Sequence, residues 1–480
     1  MKKKYLILSM IIIIVLCICL TPIFFQNDTF YTIKIGELIL NNGIDMQDHF
    51  SFHNLPYTYP HWLYDTLVYL IYSISGFTSL YIFNIICFIT LITLIFYFNN
   101  KSNNSKFIAL IFTILSIFTL SEYIATRAQV ISYIIFILEY IFITNYLKKP
   151  HFKYLIGLFI LSILLCNMHV AVWPFFFIIF LPFIAEYLLS KILKRKTLFK
   201  FIEIENNENV KYLIITMFIC IIPGFFTPIG DTPFTYLINT MQGESQNFIK
   251  EHLPPSIPQM IVLIAFSICI LILSVIGKIK ASQLFLVIGL TLMAFTSNRH
   301  ISLYTIFIFP IMAILINNIF NKVKVDIDKY TLKYLLSKIG ITLIFLTLTG
   351  IILLSIKNNQ NKKFIPPEDY PINAVEFIKE NLDYQNIHLL NEYNYGSYLL
   401  FKDIPVFIDS RADLYTVEFN QYRDILTEYM TNSYYNIIND YAITHVIAQK
   451  DKNLYKYINN NSNNFELLYE DEYFCIYEVI

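Results

Sequence analysis

Residues 258–277 read P-Q-M-I-V-L-I-A-F-S-I-C-I-L-I-L-S-V-I-G, twenty positions without one charged side chain. A helix rises about 1.5 Å per residue, so a run of this length matches the roughly 30 Å hydrocarbon core of a bilayer. Similar apolar runs fall at 5–25, 78–98, 107–121, 129–146, 153–168, 171–190, 212–228, 282–298, 301–319 and 338–356. Runs shorter than about 20 residues need tilt or local thinning of the bilayer. Across all 480 residues, 56 % are hydrophobic and 15 % charged, whereas soluble chains carry about 25 % charged residues. The composition excludes an ordinary soluble enzyme and predicts a multi-span α-helical membrane protein with eleven transmembrane helices. Lys+Arg and Asp+Glu both number 35, which leaves no basic field for nucleic acid.

The basic residues orient the spans. One set of turns, with the N-terminus, carries Lys2, Lys3, Lys4, Lys101, Lys106, Lys148, Lys149, Lys153, Lys191, Lys194, Arg195, Lys196, Lys200 and Lys211. The same set continues with Lys278, Lys280, Lys322, Lys324, Lys329, Lys333 and Lys338, twenty-one in all. The alternate loops hold four: Lys34, Arg127, Lys250 and Arg299. Positive charge stays on the cytoplasmic side, so the N-terminus is expected in the cytoplasm. The first run follows three lysines with no small-residue cleavage site after it, as a retained anchor would. Residues 64–76 (Y-D-T-L-V-Y-L-I-Y-S-I-S-G) are apolar but too few to span, and counting them would invert every later loop. They are expected as an interfacial helix, with a second short helix near 31–41, inside a structured first outer loop, 26–77. The membrane module is then 1–356, and 357–480 forms an extracytoplasmic C-terminal domain. Its helix-like A-V-E-F-I-K-E-N-L and strand-like N-I-H-L-L, I-P-V-F-I-D, T-H-V-I-A-Q, F-E-L-L-Y-E and F-C-I-Y-E-V predict a small α/β fold.

Polar chemistry collects on the outer side. The first loop carries Asp28, Glu37, Asp45, Asp48, His49, His53, His61 and Asp65. Later outer turns add Glu122, Arg127, Asn167, His169, Asp231, Glu251, His252, Arg299 and His300, so six of the nine histidines share this side. Ionisable groups at a membrane boundary mark sites and pathways. No P-loop, G-x-G-x-x-G, H-E-x-x-H or G-x-S-x-G is present, which removes support for nucleotide chemistry, zinc proteolysis and a serine-nucleophile elbow. His49, His53 and His61 with Asp48 match no strong metal-ligand spacing, so no cofactor is expected and a divalent metal has no support. Glu139 is the one acid well inside an apolar run, too little for a proton relay. Six of the seven cysteines lie in apolar runs, and Cys475 stands alone in the C-terminal region, where no internal disulfide can form.

Several motifs together resemble bacterial multi-span proteins of the glycosyltransferase-C superfamily, the polyprenyl-phosphate-sugar-dependent type. They are D28-T-F-Y, G36-E-L-I-L-N-N-G43, D48-H-F-S-F, P60-H-W-L-Y-D65, R127-A-Q, N167-M-H169, T227-P-I-G230 and N298-R-H. In the C-terminal region N394-Y-G-S-Y and V406-F-I-D-S-R-A-D-L-Y415 match the family's W-G-G-Y and V-F-I-D-G-R-A-D-L-Y. The chain departs from the pattern at Pro60-His61, where the family has His-Glu, and at Thr227, where it has Asn. N394-Y-G-S-Y and D409-S-R are also faintly similar to the outer domain of oligosaccharyltransferases. The tryptophans and aspartate of that acceptor-reading W-W-D-Y-G motif are missing here, so peptide recognition is not implied.

The resemblance implies transfer of a sugar from a lipid-linked donor, embedded with membrane lipid, to an envelope polysaccharide or protein acceptor on the outer face. An inverting transfer needs a carboxylate to take the acceptor proton and cationic groups to hold the departing phosphate. Asp28 stands where such enzymes carry a first-loop aspartate and is the expected base. Asp48, in a turn-like stretch that also suits a cap, and His61, at the altered His-Glu position, complete the catalytic candidates. Arg127, His169, Arg299 and His300 are expected to bind the donor phosphate. Tyr395, Asp409, Arg411 and Asp413 are expected either to contact the acceptor or to support the C-terminal fold. The alternative is a non-catalytic protein that binds or moves lipid-linked saccharide on the same fold.

Overall fold

A computed structural model describes residues 2–193, 199–242, 251–415, 418, 420 and 433–480. Lys194, Arg195, Lys196 and Lys250 of the charge pattern lie outside the described residues. In chain order the helices begin with α1 (Lys2–Leu20), α2 (Asn27–Asn42), α3 (Trp62–Ser75), α4 (Phe77–Ser102) and α5 (Lys106–Leu120). Then come α6 (Ala128–Lys148), α7 (Phe152–Met168), α8 (Trp173–Leu193), α9 (Val210–Ile219), α10 (Thr232–Gln242) and α11 (Ile257–Gly277). They continue with α12 (Ala281–Thr296), α13 (His300–Val323), α14 (Ile327–Leu335), α15 (Lys338–Asn359), α16 (Ile372–Asn381) and α17 (Tyr393–Phe401).

The chain divides into two compact units. The first comprises Met1–Pro22, Tyr81–Pro233 and Ile249–Asn361. Among the described residues eight helices are long and apolar enough to cross a membrane, and Phe152–Met168, Val210–Phe225 and Ala281–Thr296 are shorter apolar segments. Polar side chains join their turns at two ends. At one end Asp328 caps α5, accepting from the Lys106 backbone N–H at 2.7 Å and the Ser105 hydroxyl at 2.6 Å. Lys101 donates to the Asn145 side chain at 2.8 Å, and Asn207 donates to the Leu147 carbonyl at 2.9 Å. Two short strands, β1 (Ile202–Glu203) and β2 (Ile279–Lys280), pair in parallel there. The lysine-rich turns after α4, α6, α8, α11 and α13 therefore gather at one end. The starts of α6 and α13 lie at the other, since a 21-residue helix such as α6 is about 30 Å long.

The second unit comprises Ile23–Leu80, Phe234–Phe248 and Lys362–Ile480. The expected division at 356 assigned loop 26–77 to the spans, whereas in the structure 23–80 packs with the C-terminal region. The reason is aromatic burial: Phe30 of α2 has ring centroids 4.9 Å from Tyr370, 5.2 Å from Tyr398 and 5.6 Å from Phe401. Gly36 lets α2 and α3 meet, because a Cβ there would stand 2.1 Å from the Asp65 carbonyl oxygen. A four-stranded sheet of order β3-β4-β6-β5 uses β3 (Leu389–Leu390), β4 (His445–Gln449), β5 (Phe465–Glu470) and β6 (Phe474–Val479). β3 is parallel to β4, and β6 is antiparallel to both β4 and β5. The expected strand I-P-V-F-I-D does not join this sheet. Its backbone is satisfied elsewhere: Val406 N–H donates to the Phe50 carbonyl at 3.1 Å. The Asn391 amide accepts from Phe407 N–H at 2.9 Å and donates to the Ile408 carbonyl at 2.6 Å.

Candidate functional site

The polar centre of the second unit is Arg411. Its Nη1 donates to Asp48 Oδ1 at 2.7 Å and its Nη2 to Asp409 Oδ2 at 2.6 Å, with the arginine side chain 3 % exposed and both carboxylates fully buried. The Tyr415 hydroxyl donates to Asp409 Oδ2 at 2.5 Å. The guanidinium carbon lies 5.4 Å from the Phe50 ring centroid and 5.0 Å from that of Tyr57, within cation–π range. Asp48 also closes a turn, accepting from the backbone N–H groups of Phe50 at 3.2 Å and Ser51 at 3.0 Å. Burial opposes its charge, but Arg411 and the Ser51 bonds outweigh burial and hold its carboxyl below the ordinary range. Asp48 is thus bonded on both oxygens inside the second unit, with its side chain fully buried. These bonds support the cap that the sequence also allowed for it.

Gly396 brings α17 against this segment. A Cβ there would lie 2.0 Å from the Ile408 carbonyl oxygen. Tyr395 is fully buried, and its hydroxyl donates to the Ile447 carbonyl at 2.8 Å. It is a core residue and presents no surface to an acceptor. Asp413 is exposed and accepts from the Tyr236 hydroxyl at 2.7 Å. Asp28 lies half-buried in the first turn of α2, a position that favours a carboxylate through the helix dipole. The neighbouring Asn27 side chain donates to the Tyr393 carbonyl at 2.8 Å, and the Tyr393 hydroxyl donates to the Ser410 carbonyl at 3.1 Å. This tethers the start of α2 to the D409-S-R segment. His61 is half-buried at the N-cap of α3.

The histidines near Asp48 diverge. His49 pairs with Asp45 at 2.6 Å, and His53 Nε2 donates to the Phe407 carbonyl at 2.7 Å. Among the described residues no three His, Cys, Asp or Glu side chains converge as a metal set.

In the first unit, Arg127 and Arg299 occupy the N-cap positions of α6 and α13. Arg127 Nη1 donates to Glu251 Oε1 at 2.5 Å. Arg299 N–H donates to the Glu251 carbonyl at 3.1 Å. Burial opposes the Glu251 charge, but Arg127, Arg299 and His252 together hold its carboxyl below the ordinary range. His169 is buried with Nδ1 2.7 Å from the Ser132 hydroxyl of α6, and His300 Nδ1 lies 3.0 Å from the Met293 carbonyl. The four expected phosphate residues therefore share one end of this unit, the arginines nearest each other through Glu251. Two helix starts with arginine side chains can receive an anion.

Asp65, Glu392 and Glu139 are among the buried acids assigned no role from sequence. Asp65 is fully buried beside Thr32, and burial pushes its carboxyl far above the ordinary range. Glu392, at the N-cap of α17, is pushed up to about 7 by burial, with hydrogen bonds from Gln449 N–H and Tyr395 opposing that rise. Glu139 is fully buried within α6. Asp65 ended the P60-H-W-L-Y-D65 motif and stood among the polar residues of the first outer loop, the signals that marked it in advance.

No protein-family model matches the chain, and no curated protein is significantly similar to it in sequence. Its fold is similar to solved structures of an archaeal oligosaccharyltransferase. The crystal structure of the Archaeoglobus fulgidus enzyme tethered with an acceptor peptide containing the NVT sequon aligns with a TM-score of 0.61 and 12 % identity, over 93 % of this chain and 69 % of that one. The Archaeoglobus fulgidus AglB complex with an inhibitory peptide and a dolichol-phosphate aligns with a TM-score of 0.60 and 12 % identity, over 93 % and 70 %. The apo form aligns with a TM-score of 0.62 and 11 % identity, over 92 % and 69 %. At such identities the likeness is one of fold alone.

Proposed function

We propose that the chain is a membrane glycosyltransferase that moves a sugar from a polyprenyl-phosphate-linked donor to a cell-envelope acceptor on the outer face, with inversion. Eight long and three shorter apolar helices serve as eleven spans, with the N-terminus cytoplasmic and the C-terminal domain extracytoplasmic. The observation that carries the reading is the arginine pair at the starts of α6 and α13, both bonded to Glu251, Arg127 through its guanidinium and Arg299 through its backbone N–H. A fork of guanidinium donors matches phosphate oxygens, and a departing lipid phosphate requires such stabilisation. His169 and His300 line the same end of the first unit, and the likeness in fold to oligosaccharyltransferases supports the reaction class. Asp28 is the proposed base that takes the acceptor proton. Arg411, Asp409 and Tyr395 are assigned to support of the fold, and the exposed Asp413 is the acceptor-facing candidate of that region. His61 in place of the family glutamate favours the second reading, a lipid-linked-saccharide binding protein without transfer. Purified protein given a panel of polyprenyl-phosphate sugars and envelope acceptors distinguishes the two. Transfer of label supports the enzyme, and donor binding without transfer supports the binding protein.

A further inference from the structure

The ion pair of Arg127 with Glu251 occupies the place where the donor phosphate is proposed to bind. The backbone of this segment is latched to the start of α13. The Glu251 carbonyl accepts from Arg299 N–H at 3.1 Å and from the Ser297 hydroxyl at 3.0 Å, and Asn298 N–H donates to the Leu253 carbonyl at 3.0 Å. The side chain alone crosses to Arg127. It is 46 % exposed, against 22 % for the arginine, so the carboxylate is the more solvent-accessible member of the pair.

Oxygen geometry gives the contact a direction. Arg127 reaches the Glu251 carboxylate with its guanidinium, and Arg299 holds the Glu251 carbonyl through its backbone N–H. A phosphate group presents tetrahedrally placed acceptor oxygens that two guanidinium forks can approach from different sides, which the two coplanar oxygens of a carboxylate do not.

We propose that Glu251 is a built-in competitor for the donor phosphate: its carboxylate holds Arg127 in the empty protein, and the phosphate binds by displacing it. This rests on the donor-phosphate reading above. The contact keeps a partner on the Arg127 guanidinium between turnovers.

The test is equilibrium binding of a short-chain polyprenyl phosphate and, separately, of inorganic phosphate to the full chain in detergent, comparing wild type, Glu251→Gln, Glu251→Ala and Arg127→Gln. A partly exposed ion pair contributes at most about 1 kcal/mol, so removing the competitor should tighten binding roughly 2- to 5-fold in both Glu251 variants. Structural damage would weaken binding, so tightening is not a trivial outcome. Tightening for both ligands identifies the phosphate group as the displacing element, and tightening for the polyprenyl phosphate alone identifies a phosphate held at the membrane by its lipid. Unchanged or weaker binding in both Glu251 variants, with binding lost in Arg127→Gln, overturns the competitor role and leaves the donor reading standing. Undiminished binding in Arg127→Gln overturns both.

Discussion

Asp48 and Arg411 are 363 positions apart in the chain, and their side chains meet at 2.7 Å in the interior of the second unit. The contact joins the first loop to the C-terminal region through an ion pair with almost no solvent access. Taking one cation from between two buried carboxylates leaves charge that water cannot reach.

Arg411→Ala should therefore destabilise the second unit by about 3–5 kcal/mol, the usual cost of breaking a buried pair from one side. Thermal melting in detergent, together with membrane yield, reads this directly. Arg411→Lys should restore little, because a lysine cannot bond both carboxylates as a planar fork does. An unaltered melt in Arg411→Ala would remove the network from any structural role.

Asp28→Asn keeps the shape of the side chain in the first turn of α2 and removes the proton acceptor. Loss of a general base costs about 100- to 10,000-fold in rate, so the variant should insert and melt normally, bind lipid-linked sugar and fail to transfer it. Near-wild-type transfer by Asp28→Asn, with transfer abolished in His61→Ala, would move the base to His61.

Glu392 makes a pH prediction. Its folded-state value is raised to about 7, whereas an exposed glutamate titrates near 4.3. The folded state binds the extra proton, so this stability is fully present below about pH 4.3 and is lost as pH rises through about 7. Within that window the slope approaches about 1.4 kcal/mol per pH unit. The melting temperature of Glu392→Gln should fall less than that of wild type between pH 5 and pH 8. Parallel pH profiles for the two proteins would show that Glu392 does not titrate in this window.

For topology, residues 361–363 are exposed after α15 and, with the lysines inside, should face outward. Protease added to intact cells, after removal of any wall, should cut near 358–366. Cutting only after lysis would invert the orientation.

The sequence by itself determined the membrane character, the places of the apolar helices, the two short helices near 31–41 and 62–75, and the family-like motifs. These follow from run length and charge placement, which are local properties and need no knowledge of neighbours. Only the tertiary structure decided what the motif residues do. Asp48 proved to be a buried partner of Arg411, Tyr395 a core side chain, and I-P-V-F-I-D a segment held by Asn391 outside the sheet. Arg127 and Glu251, 124 positions apart, gave no local sign of meeting. An ion pair between distant elements leaves no periodicity in the chain, and the burial that turns an aspartate into a structural ligand comes from packing around it.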